Sequence, residues 1–99
     1  MMKITKSQSN GILTIALEGR IDITTAPDLE REIKSSLDGV TELIFDLEKL
    51  TYISSAGLRA LLLALKKMNK QGSMKLIHVN EMVMAVFVAM GFADILTIE

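Results

Sequence analysis

The stretch TELIFDLEKLTYISSAGLRALLLAL, residues 41–65, decides how the chain is read. TELIFDL, residues 41–47, is too apolar for a strand with one wet face and is expected to be a central strand covered on both sides. EKLTYI, residues 48–53, reads as a loop. From Ser55 onward, Leu58, Leu61, Leu62, Leu65 and Met68 recur at helical spacing, which predicts a helix over residues 55–70 with that stripe turned to the core.

Upstream, ILTIALE (residues 12–18) alternates, with Leu13, Ile15 and Leu17 on one face and Ile12, Thr14, Ala16 and Glu18 on the other, the pattern of a strand. MKIT (residues 2–5) reads as a shorter strand, and the Asn-Gly pair between the two predicts an antiparallel hairpin. GRIDITTAPDLEREIKSSLDG, residues 19–39, supplies a helix. Thr24 or Thr25 is its expected cap, Pro27 suits the first turn, and Asp28 and Glu30 suit the positive end of the dipole. Leu29, Ile33 and Leu37 form its buried stripe and Gly39 stops it.

Downstream, GSMKLIHV (residues 72–79) gives a turn and a fourth strand that includes His78. Asn80 caps a third helix over EMVMAVFVAM (residues 81–90), and Gly91 ends it. In that helix Val83, Val86, Phe87 and Met90 form a core face, while Met84, Ala85 and Val88 lie opposite, where an apolar surface suits a protein partner. ADILTI (residues 93–98) is expected to be a short final strand. The order ββαβαβαβ is that of an α/β fold. Strands that alternate with helices need crossovers, so the sheet is mixed, mostly parallel, with an antiparallel hairpin at its start and helices packed against it.

Composition narrows the function. A chain of 99 residues, 49% hydrophobic and 23% charged, is expected to form one domain over residues 1–99. A formal net charge of -1 offers no overall positive field for nucleic acid, so protein partners are expected. With no cysteine there is no disulfide and no thiolate metal site, and neither a metal nor a cofactor is expected. MMKITKSQSNG lacks the apolar core of a signal peptide and no apolar run is long enough to span a bilayer, so the expected location is the cytoplasm, without membrane insertion.

Ser54 and Ser55 stand where the loop enters the second helix. One hydroxyl there is explained by capping, which contributes about 1 kcal/mol. A second, beside Gly57 at an exposed helix start, sits where a phosphate would meet free N–H groups and a favourable dipole. Both readings stand on the residues alone.

YISSAGLRALL, residues 52–62, resembles the phosphorylation segment of the anti-sigma factor antagonists, small bacterial proteins built on the STAS domain. LEGRIDITTAP (residues 17–27) is similar to a second signature of that family, and FDLEKLTYISSAGL (residues 45–58) to its third strand and phosphosite. The resemblance spans nearly the whole chain. It implies a phosphoprotein that regulates transcription by partner-switching. The unphosphorylated form binds an anti-sigma factor of kinase fold and frees a sigma factor, the kinase then modifies it, and a serine phosphatase reverses the change. The family's phosphorylated residue lies two before the motif glycine, which is Ser55 before Gly57. Ser54 replaces the family's usual acidic residue just before the phosphosite, and is the alternative acceptor.

The expected partner-binding set is Asp22, Thr24, Thr25, Ser54, Ser55, Ala56, Gly57, Arg59, Ala60 and Leu63, in which the resemblance implies that Asp22 matches a functionally important acidic residue. On the residues alone Asp22 is equally a turn aspartate, and Asp46 either lines the same surface or ends a strand. Helical spacing turns Ala56, Arg59, Ala60, Leu63 and Lys67 away from the leucine stripe, with Leu63 a candidate docking spot. A monomer or weak dimer is expected.

Catalysis is not expected, because ISSAG lacks the leading glycine of G-x-S-x-G and His78 is the only histidine. No glycine-rich phosphate loop of the G-x-x-x-x-G-K-[ST] kind occurs either. The alternative within the same fold is a docking subunit of a lipid transport complex or sensory assembly. Both serines are then caps and no phospho-switch operates.

Overall fold

A computed structural model describes residues 2–99, and Met1, counted in the expected domain, lies outside the described residues. The elements are β1 (Met2–Ser9), β2 (Ile12–Ile21), α1 (Ala26–Ser36), β3 (Glu42–Ile53), α2 (Ser55–Met68), β4 (Ser73–Ile77) and α3 (Glu81–Ala89). The four strands lie in the order β1-β2-β3-β4, with β1 antiparallel to β2 and the other pairs parallel. The expected mixed α/β sheet is therefore present.

The hairpin turn follows from its sequence. Asn10 and Gly11 both have positive φ, 53° and 81°, which is the backbone a two-residue turn needs to match the twist of its strands. Leu13, Ile15 and Leu17 of β2 and Leu43, Phe45 and Leu47 of β3 point to one face and are buried there. Leu29 and Ile33 of α1, with Leu58, Leu61, Ala64 and Met68 of α2, close that face, and the two helices pack against each other. Gln71 ties them together, its amide donating to the carbonyls of Leu37 (2.6 Å) and Val40 (2.7 Å).

Four expectations about the elements are corrected. Residues 48–53 are not a loop: β3 continues to Ile53. Opposite Ala16 to Arg20 of β2, β3 carries two extra residues at register shifts, so its inward side chains there, Leu47, Leu50 and Ile53, recur every third residue instead of every second. Nor is β3 covered on both faces. Ile44 and Asp46 are only half-buried, as are Thr14 and Ala16 beside them and Lys75 and Ile77 on β4.

The expected last strand reduces to a single parallel bridge, Leu76 to Ile98. In α3 only Val83 and Phe87 are buried. Met90, expected in the core, is 48% exposed, because the face that meets the sheet is two residues wide and the helix ends before Met90.

Candidate functional site

The site is built where parallel strands end. Ile21 closes β2, Ile53 closes β3, and the two are register partners. Each strand then turns into a helix, and the N–H of Ser54 donates to the carbonyl of Ile21 at 2.9 Å. The starts of α1 and α2 are thereby held side by side at the carboxyl ends of the strands, the usual place for a binding site in an open α/β sheet.

At the start of α2 the two serines have different tasks. Ser54 is the N-cap, with extended backbone, and its hydroxyl accepts the N–H of Gly57 at 3.4 Å. Ser55 is the first helical residue and is exposed. Its hydroxyl has no hydrogen-bond partner among the described residues. Gly57 explains why the helix start sits so close to the strands. A Cβ there would lie 2.7 Å from both Ile21 Cγ2 and Ile53 Cγ1, so a larger residue would lift α2 off the strand ends.

At the start of α1, Asp22 is a turn residue of unusual completeness. Its carboxylate accepts the hydroxyl of Thr24 at 2.6 Å, the N–H of Thr24 at 3.0 Å and the N–H of Thr25 at 3.2 Å. These bonds, the Thr24 hydroxyl foremost, lower its pKa from 3.8 to about 2. A fixed negative charge therefore stands beside the Ser54–Ser55 turn. Neither threonine caps α1 through its side chain. Thr25 occupies the N-cap position, but its hydroxyl accepts from the N–H of Asp22 (2.9 Å) and donates to the carbonyl of Arg20 (3.0 Å), bracing the turn instead.

The expected contact residues divide on α2. Arg59 is exposed, and Ala56 and Leu63 are half-buried. Gly57 and Ala60 are buried, so they shape the surface without belonging to it. Helical spacing alone turns Ala60 outward, yet it is buried. The small residues instead face the neighbouring layer, since α2 lies close enough to its neighbours that alanine and glycine fill the gap.

Three apolar side chains at the same end were not singled out in the sequence. Ile23 is 79% exposed in the turn after β2, Met82 is 70% exposed in the first turn of α3, and Tyr52, near the end of β3, is 37% exposed. Tyr52 lies under Arg20, whose guanidinium carbon is 4.3 Å from the ring centroid. Tyr52 and Met82 also line one small crevice between β3 and α3. The one legible signal was Ile23 itself, a lone large apolar residue in the otherwise polar turn DITT.

Asp46 and His78 lie elsewhere. His78 is not within the fourth strand but one residue past it, exposed, and its Nδ1 is 2.9 Å from Asp46 Oδ1. That hydrogen bond, with the charge of Asp46, raises the pKa of His78. Since Asp46 pairs with Ile77, His78 is level with Leu47, and Ser54 is seven residues further along β3, on the order of 20 Å. Histidine and serine do not form a nucleophile and base.

Residues 3–99 match the STAS domain family. The chain belongs to that family. This STAS domain is 38% identical over 96 residues to BtrV of Bordetella bronchiseptica, which bears the name of an anti-sigma factor antagonist, the match covering 95% of this chain and 83% of BtrV.

Solved structures share the fold. An anti-sigma factor antagonist from Mycobacterium paratuberculosis superposes with a TM-score of 0.89 at 21% identity, covering 99% of this chain and 85% of its own. The anti-sigma factor antagonist SpoIIAA in its unphosphorylated form superposes at 0.84 with 19% identity over 98% of this chain and 88% of its own. The phosphorylated form of SpoIIAA, a Bacillus cell fate determinant, superposes at 0.76 with 18% identity over 98% and 91%. Among the described residues of this STAS domain, no helix is long and apolar enough to cross a membrane.

Proposed function

We propose that this chain is a one-domain cytoplasmic anti-sigma factor antagonist of a bacterial partner-switching system, a binding protein and not an enzyme. Its unphosphorylated form binds an anti-sigma factor of kinase fold through the carboxyl ends of β2 and β3 and the outward face of α2. Asp22, Thr24, Thr25, Ser54, Ser55, Ala56, Arg59 and Leu63 make up that surface, with Ile23, Tyr52 and Met82 as its apolar part. Phosphorylation of Ser55 ends the interaction, and a serine phosphatase restores it.

The observation that carries this reading is the division of labour between the two serines. Ser54 already serves the helix as its cap, whereas the Ser55 hydroxyl is exposed and free. A phosphate on Ser55 adds about -1.5 to -2 charge units to a chain of formal net charge -1, at a helix N-terminus that accommodates it. The fold therefore persists while the contact surface gains a strong local negative charge, and partner affinity falls through repulsion and desolvation. The names of the relatives support the antagonist role, and SpoIIAA supports the switch, being a neighbour with both unphosphorylated and phosphorylated structures.

The test is intact mass with fragment mapping of protein taken from its native cells, and of protein incubated with ATP and candidate kinase-fold anti-sigma factors. One phosphate on Ser55 with loss of binding is expected. A phosphate on Ser54 would keep the switch and move its site. Absence of phosphate, with a stable complex to a transport or sensory component, would overturn the reading in favour of a constitutive docking subunit.

A further inference from the structure

The sequence contains one histidine and no cysteine, and on that ground offers no metal site. The topology brings together what the sequence separates. Asp46 and Glu48 project from β3, and His78 follows β4, which is paired in parallel with β3. One ligand atom of each lies within 4.8 Å of the other two: His78 Nδ1 is 2.9 Å from Asp46 Oδ1 and 4.0 Å from Glu48 Oε1. We propose that Asp46, Glu48 and His78 form a binding site for a divalent transition cation of the zinc or nickel class, independent of the phosphoserine turn.

The chemistry of the donors selects the ion. One imidazole nitrogen and two carboxylate oxygens suit zinc, nickel, copper or iron, while magnesium and calcium prefer oxygen alone. Three protein ligands leave coordination positions for water. The neighbouring groove on the half-open sheet face, about 330 Å³, offers room for those waters, and Asp46 and Glu48 form part of its wall. Lys3 and Lys49 line the same groove. Their charge opposes indiscriminate cation capture, so that affinity rests on the imidazole rather than on bulk negative charge.

Leu47 between them is buried in the core while Asp46 and Glu48 line the same groove, and the N–H of Glu48 donates to Asp46 Oδ1 at 3.1 Å. Glu48 and His78 are exposed, so a small side-chain rotation of each closes the remaining distance to ligand separations. On binding, His78 ligates as the neutral imidazole, with Nδ1 on the ion and the remaining proton on Nε2. The bound ion would link the middle of β3 to the segment that leads from β4 into α3.

The experiment is calorimetric titration of the full, untagged chain, stripped with chelator, with zinc, nickel and magnesium ions, together with amide NMR spectra in the presence of nickel. Saturable binding of one zinc or nickel ion is expected, with paramagnetic broadening centred on Asp46, Glu48 and His78 and no comparable heat from magnesium. His78→Asn and Asp46→Asn should each weaken binding at least about tenfold. Asparagine is chosen at His78 because that residue has φ 59° and asparagine tolerates the left-handed backbone. No saturable binding, broadening centred elsewhere, equal binding of magnesium, or unchanged affinity in His78→Asn would each overturn the proposal.

Discussion

The hydroxyl of Ser54 accepts the N–H of Gly57, three residues on, and this one bond separates the roles of two adjacent serines. Ser54→Ala leaves a helix N–H without its partner and is expected to destabilise the fold by about 0.5–1 kcal/mol, the lower part of the usual range because the bond is long at 3.4 Å. Ser55→Ala is expected to change stability by less than about 0.5 kcal/mol, as a substitution of an exposed side chain, while abolishing phosphate incorporation. Urea unfolding of both variants, beside phosphorylation assays, checks the pair. A larger stability loss at Ser55 than at Ser54 would reverse the assignment of the cap.

Gly57→Ala sets two effects against each other. Alanine favours a helix over glycine by about 1 kcal/mol. Here its Cβ would meet Ile21 and Ile53 at 2.7 Å, and overpacking of this kind costs about 1–3 kcal/mol. Both isoleucines are buried and have little room to give, so net destabilisation is expected, with amide shifts concentrated at Ser54 to Leu58 and at the ends of β2 and β3. A variant more stable than the parent in thermal unfolding would contradict the close approach of helix and strands.

Asp22 predicts the acid limb of stability. Its pKa is depressed in the folded chain, to about 2 from 3.8, so its contribution is fully present above 3.8 and is lost as pH falls through about 2. Asp22→Asn retains an oxygen that can accept from the backbone of the turn but removes the titration. The variant should therefore lose less stability between about pH 5 and about pH 1.5 than the parent does. Denaturant midpoints across that range make the comparison, and superimposable acid limbs would remove Asp22 from the account.

Ile23 tests the apolar part of the proposed contact surface. At 79% exposed it contributes little to the core, so Ile23→Asp should change stability by no more than about 0.5 kcal/mol. In the complex it would bury a charge, and affinity for the anti-sigma factor should fall at least about tenfold. Val88→Asp, on an exposed position of α3, is the comparison, with affinity unchanged. Equal losses for both would move the interface toward α3.

The sequence was most legible where one local rule acted alone. The alternation of residues 12–18, the Asn10–Gly11 turn and the cap at Asn80 each report a short-range preference, and each appears as read: Asn80 Oδ1 accepts the N–H of Val83 at 2.8 Å. Legibility failed where tertiary contacts rewrote the period. Leu47, Leu50 and Ile53 are spaced by three because of the register shifts, so a twelve-residue strand looked like a seven-residue strand and a loop. Burial of Ala60 depends on how closely α2 approaches its neighbours, which helical spacing does not encode. Within the site, the serine turn and Asp22 were visible as motifs. The grouping of Asp46, Glu48 and His78 was not, because it arises only when β4 pairs beside β3.

Tyr52 is the single tyrosine in a chain without tryptophan, so the ultraviolet emission of this protein comes from one ring. That ring lies against Arg20, two residues before the serine pair and on the rim of the crevice shared with α3. The molecule thus carries its own optical probe at the surface where a partner or a phosphate would arrive. Phosphorylation can be followed in unlabelled protein, in real time, with no other tyrosine or tryptophan of this chain contributing.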